Sequence, residues 1–194
     1  MRLIYPRIVV RIRDSFPLFY LAGPIQGGDE WQVRACEFIA SNIDDVDVVV
    51  PNWWNAEHPL IKKYGATDVT ATIDDAIKWE RAYLYTAGLG HFQRGCIIVW
   101  VPDESKTRPR DDNSPYGRDT YGEIAEWRGR MLGYADLRRP ENEWPRMVVG
   151  AEGGFPGLPQ IRKNFSFGLN NKYQIYETLA ETVLAAFKKA GIRS

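Results

Sequence analysis

The sequence predicts an α/β fold: a doubly wound, mainly parallel sheet of four to five strands. Short apolar runs that stop abruptly at glycine or proline recur along the chain. Stretches with apolar residues at helical spacing separate them. The runs lack polar alternation, which is the pattern of strands covered on both faces. Strands and helices that alternate through right-handed crossovers make an open sheet of flavodoxin-like or Rossmann-like form, and ligands of such sheets sit at the carboxyl ends of the strands.

The first strand is Phe19-Tyr20-Leu21-Ala22-Gly23, closed by Gly23-Pro24. A helix over about 29–42 follows, with Trp31, Ala35, Phe38 and Ile39 on one face. VDVVVP at 46–51 is the second strand, and Ile73, Ile77 and Leu84 mark a helix over about 72–87. CIIVWVP at 96–102 is the third strand, and Ile124, Trp127 and Met131 mark a helix over about 119–133. RMVVG at 146–150 is the fourth strand. Ile175, Leu179, Val183 and Phe187 define a last helix, with Lys188 and Lys189 placed to complement its dipole. Residues 1–17 are an N-terminal extension or an extra edge strand, and NFSFG at 164–168 is a candidate fifth strand.

With 194 residues, 44% apolar and 26% charged, the chain suits one domain over 1–194 with a full core. Lys+Arg 25 against Asp+Glu 25 cancel, so bulk charge gives no reason to expect a nucleic acid polymer as partner. No apolar run approaches the roughly 20 residues of a spanning helix, and the opening MRLIYPRIVVRIRD interleaves arginine with apolar residues. A cytoplasmic protein without a membrane partner is therefore expected. Cys36 and Cys96 lie in apolar segments and suit buried reduced thiols. With His58 and His91 as the only histidines, no metal-ligand spacing appears, so no metal is expected. GLGHFQRG at 88–95 has its third glycine displaced and runs into a strand, which excludes a dinucleotide loop.

Several residues stand where a ligand would bind. GPIQGGDEW puts Gly23, Pro24, Gln26 and Gly27 between the first strand and its helix, either as a plain turn or as a loop whose amides hold a hydroxyl or phosphate. Glu80 interrupts the stripe Ile73, Ile77, Leu84; a buried carboxylate there needs an ion pair, with Arg81 or Arg94, or a function. Glu123 opens the helix after the third strand, where the dipole favours its anion, and a first-turn glutamate placed only for that dipole is the alternative. The charged segment 103–119 suits a lid or a surface loop. Trp53 and Trp54 follow the second strand, placed for stacking on a planar ligand or for a subunit contact.

Taken together, YLAGPIQGG at 20–28, Trp79-Glu80, CIIVWVP and TYGEIAEW at 120–127 resemble the nucleoside 2-deoxyribosyltransferase family, in its broad deoxyribosyltransferase-like branch, over about 18–165. The resemblance implies a flavodoxin-like fold and transfer of 2-deoxyribose between nucleobases through a covalent glycosyl-enzyme; related enzymes hydrolyse nucleotides. It puts the nucleophile on Glu123, the tyrosine that orients it on Tyr20, and the acid that handles the base on Glu80. The classical transferases have aspartate at the position of Glu80, and their acid in the loop before the nucleophile has only Asp119 as counterpart, four residues ahead of Glu123. Phosphate-binding relatives carry arginine and serine in the first loop, where this chain has Gln26 and Pro24, which favours nucleosides.

The expected chemistry is retaining glycosyl transfer by ionised Glu123, with Tyr20 fixing its rotamer and protonated Glu80 as acid, without metal or organic cofactor. Hydrolysis of nucleosides or nucleotides by the same glutamate and non-catalytic nucleotide sensing are the competing expectations. The family's members are homo-oligomers with shared active sites, which implies a dimer or higher here, with Trp53, Trp54 and Tyr173 available for an interface and Asn164 a candidate for donation across it.

Overall fold

The computed structural model describes residues 1–89, 94–112, 114–169 and 173–192. Residues 90–93 of the GLGHFQRG segment, His91 among them, lie outside the described residues. Strand β1 (Arg2–Ile4) is followed by β2 (Ile8–Val10), β3 (Leu18–Ala22), helix α1 (Trp31–Asn42), β4 (Asp47–Val49), α2 (Pro59–Tyr64) and β5 (Val69–Thr72). Then come α3 (Ala76–Leu89), β6 (Gly95–Val101), α4 (Arg118–Asp136), β7 (Met147–Ala151), α5 (Leu158–Ser166), β8 (Ile175–Tyr176) and α6 (Leu179–Lys189). Six strands form a parallel sheet in the order β1-β4-β3-β6-β7-β8, the doubly wound α/β architecture. The four runs expected from the sequence are its centre, and the short β1 and β8 are its edges.

Every residue of β3, β6 and β7 is buried, as helices on both faces require. The strand pleat sorts their side chains. Leu18, Tyr20, Ala22, Ile97, Val99 and Val101 join one core with Trp79 of α3 and Trp127 of α4. Phe19, Leu21, Cys96, Ile98 and Trp100 join the other with Trp31 of α1 and Phe187 of α6. Tyr20 thus faces the side on which α3 and α4 lie. Cys36 and Cys96 are buried and free, and burial pushes the Cys96 thiol up to about 12.

Four details depart from the sequence expectation. NFSFG is no strand, because Leu158, Ile161 and Phe165 make the buried stripe of α5, and Pro159 suits its first turn. Ile175 belongs to β8 and not to the last helix, which starts after Thr178, whose hydroxyl accepts the Glu181 N–H at 3.2 Å. In α3 the buried face is Trp79, Tyr83, Leu84 and Ala87, whereas Ile77 is 70% exposed. The indole of Trp79 also donates to the Ile8 carbonyl at 2.6 Å, so the large aromatics set the phase of this helix. Finally, β2 leaves the main sheet to pair antiparallel with β5, a two-stranded sheet that the sequence reading did not contain.

The N-terminal edge is held by charge as well as packing. Asp47 is fully buried on β4 and takes Arg2 in a fork, Nε at 3.0 Å and Nη2 at 2.6 Å, with Arg13 as a second cation. An unpaired carboxylate at that depth would be costly, so the pairs tie β1 and the segment after β2 to the sheet.

Candidate functional site

The chain turns sharply at the end of β3. Gly23 has φ 150°, and a Cβ there would collide with the Trp100 carbonyl oxygen on the neighbouring strand, so a side chain is excluded. The Pro24 carbonyl accepts the Trp31 indole N–H at 2.8 Å, which ties the turn to α1. Above this turn, at the carboxyl ends of β3, β4 and β6, opens a cavity of about 370 Å³, within the range of small-ligand sites.

Tyr20, Glu80 and Glu123 all line it. So do Gly23, Pro24, Gln26, Trp53 and Asp119. Gly27 does not; it is half-buried against Arg110 and Tyr116, with a Cβ there falling 3.2 Å from the Arg110 backbone nitrogen and the Tyr116 ring. Its carbonyl accepts the Ser105 N–H at 2.7 Å, and Tyr116 donates its hydroxyl proton to the Pro102 carbonyl at 2.9 Å. Segment 103–117 therefore folds over the glycine turn and delivers Arg110 and Asp112 to the cavity, two lining residues that the sequence reading missed. An arginine among acids in a loop has no spacing to reveal it.

The two glutamates sit differently from the sequence picture. Helix α4 begins at Arg118, so Glu123 lies in its second turn, beyond the strongest part of the dipole field. Burial, then the carboxyl of Glu80, raise its pKa from 4.5 to about 7, against the opposing pull of Arg81. Glu80, partly buried at the margin of the apolar face of α3, is raised as well, mainly by desolvation. The alternative of an ion pair between Glu80 and Arg81 is not realised, because Arg81 pairs with Glu126, which also binds Tyr85 and Arg130. Among the described residues neither the Glu80 nor the Glu123 carboxyl group makes a hydrogen bond or ion pair.

Tyr20 is fully buried, and its hydroxyl has no hydrogen-bond partner among the described residues. The hydrogen bond expected between Tyr20 and Glu123 is not formed. Burial, followed by the charges of Glu123 and Glu80, holds the phenol pKa well above its ordinary value, so the group stays protonated as a donor. An orphaned buried hydroxyl costs about 1–3 kcal/mol, and Gln32 Nε2 and the indole nitrogens of Trp100 and Trp127 are likewise buried without a partner among the described residues.

Trp53 and Trp54 part company. Trp53 is 55% exposed at the cavity, with the Arg7 guanidinium 4.9 Å from its ring centroid. Trp54 stacks on His58, centroids 4.1 Å apart, and does not line the cavity. Tyr173 stacks on Phe165 and donates to the Met147 carbonyl at 2.7 Å, and Asn164 lies on α5; neither lines it. Among the described residues no group of three or more His, Cys, Asp or Glu could hold a metal ion, and no helix is long and apolar enough to cross a membrane. No protein-family model matches this chain, and no curated protein matches it.

Proposed function

We propose that this protein is an enzyme of N-glycosidic bonds that transfers 2-deoxyribose between nucleobases through a covalent ester on Glu123. The observation that carries the reading is the meeting of Glu123, Glu80 and the unpartnered Tyr20 hydroxyl in one cavity, from three separate elements. Two carboxyl groups lining one cavity of about 370 Å³ are the groups that a retaining glycosyl transfer requires.

The Glu123 carboxylate oxygen attacks C1′ as the C1′–N bond breaks, and the departing base takes the electron pair and a proton from Glu80. The Tyr20 hydroxyl donates to the carboxylate that carries the charge, so a donor idle in the free protein acquires its acceptor during catalysis. An incoming base then attacks C1′ of the ester, the C1′–O bond breaks, Glu123 regains its carboxylate and Glu80 regains a proton. The two acids titrate as a coupled pair: in the free protein burial keeps the last proton on Glu123, and the productive form, with that proton on Glu80 and none on Glu123, is the minor arrangement, which the Tyr20 donor favours by bonding the Glu123 carboxylate. The exposed face of Trp53 offers a stacking surface for a base. Residues of this chain supply the nucleophile, the acid and the donor, and a homo-oligomer that completes the site belongs to the same reading.

Purified protein is incubated with a 2′-deoxynucleoside, with and without a different free base, and products are separated by chromatography. A new nucleoside that forms only with the second base, and not with Glu123→Ala, is the expected result. Free base released equally without acceptor would make the protein a hydrolase. Full activity in Glu123→Ala would remove the assignment.

A further inference from the structure

Among the described residues the charged groups that line the cavity are Glu80, Asp112, Asp119 and Glu123 against a single cation, Arg110. That cation is already engaged: its Nε and Nη2 donate to the two carboxyl oxygens of Asp112 at 2.5 and 2.7 Å, the fork that a phosphate would otherwise occupy. The Arg110 side chain is 13% exposed and that of Asp112 43%, so the guanidinium is sheltered while the carboxylate that fills its fork stays open to solvent. Asp112 is fixed in turn by the Ser114 N–H at 3.0 Å, and these bonds hold its carboxyl well below the ordinary range. The Arg110 backbone N–H donates to Glu104 at 3.0 Å, which anchors the loop from the other side.

We infer that the Arg110–Asp112 pair determines specificity by charge, making the cavity accept an uncharged ligand and reject a phosphorylated one. The inference rests on the N-glycoside reading for the identity of the ligand, and it names the free nucleoside over its 5′-monophosphate. A phosphate brings close to two negative charges. It meets a guanidinium whose fork is filled by a carboxylate, within a wall that also carries Asp119 and the single negative charge of the proton-sharing Glu80–Glu123 pair. Removal of the Asp112 charge frees the fork and lowers the repulsion together.

Calorimetric titration of inorganic phosphate into wild type, Asp112→Asn and the double variant Arg110→Gln/Asp112→Asn tests the pair without turnover. A 2′-deoxynucleoside and its 5′-monophosphate are titrated in parallel. Asp112→Asn should bind phosphate about tenfold more tightly than wild type, the strength of one freed charge-assisted contact, and the double variant should lose the gain. Wild type should prefer the nucleoside to its monophosphate. Phosphate or monophosphate bound by wild type as tightly as by Asp112→Asn would overturn the inference. Should phosphate follow the pair while neither nucleoside nor monophosphate binds wild type, charge selection stands and the N-glycoside reading falls. Should nucleosides turn over while Asp112→Asn gains no phosphate affinity, the reading stands and the role of the pair falls. Asp112→Ser, checked by thermal melt, serves as second variant if the asparagine form does not fold.

Discussion

Replacing Glu123 by glutamine should stabilise the protein, and only above a definite pH. Burial raises the Glu123 pKa from 4.5 to about 7, so between those values the folded chain holds a proton that the unfolded chain has released. The sign follows directly: the contribution of the protonated form is complete below 4.5, is lost as pH rises through 7, and stability falls across that window. At 1.36 kcal/mol per pH unit, the loss approaches about 3 kcal/mol above neutrality. Glutamine keeps the shape and carries no charge, so it escapes the penalty. For a chain of this size, each kcal/mol moves Tm by about 2–4 °C. Melts of wild type and Glu123→Gln from about pH 4 to about pH 8 should coincide at the acid end and separate by about 6–12 °C at the alkaline end. Because Glu80 contributes to the shift, Glu80→Gln should recover part of the same gain, and the double variant should fall short of additivity. A stability difference that is independent of pH would refute the burial argument.

Four further outcomes follow from the same coordinates. Tyr20→Phe should leave stability unchanged or raise it by up to about 1 kcal/mol, since it removes an orphaned hydroxyl, while kcat falls by about tenfold or more; a stability loss without an effect on kcat would contradict the role assigned to the phenol. The rate of glycosyl transfer should rise with pH as the pair loses its first proton and fall as it loses the second, with Glu80→Gln removing the alkaline limb, and a flat profile would count against the coupled pair. Asp47→Ala should cost about 3 kcal/mol in urea unfolding by stranding Arg2 and Arg13, and a cost near zero would mean that the pairs are surface-like. Gly23→Ala should lower stability by about 1–3 kcal/mol, because its φ of 150° and the Trp100 carbonyl both oppose a side chain; unchanged melting would contradict the geometry of the turn.

Much of the frame was legible before any coordinate. The apolar runs that become β3, β4, β6 and β7 had to be strands buried on both faces, since a run of such length and continuity has no surface to expose. Helices α1 and α4 were legible through their periodicity, and the Gly23-Pro24 stop marked where a crevice opens. Less was legible where local signals are weak. Strand β5 is exposed at every residue and exists through its pairing with β2, and β8 has only two residues. The phase of α3 is not legible locally, because Ile77 and Trp79 compete for the buried face and the contact of Trp79 with β2 decides between them.

For the candidate site the division is of another kind. Sequence by itself placed Glu123 beside a strand-end crevice and set Glu80 apart as a break in an apolar stripe, because strand and helix periods are local, whereas Tyr20 was singled out only through the resemblance to a known family. Tertiary structure alone decided what those groups experience: that Arg81 turns to Glu126 and leaves Glu80 unpaired, that Tyr20 has no acceptor, and that Arg110 enters the cavity already bound to Asp112. Charge and protonation depend on which groups from distant segments share a desolvated space, and that distance through space is not written in the spacing of residues along a chain.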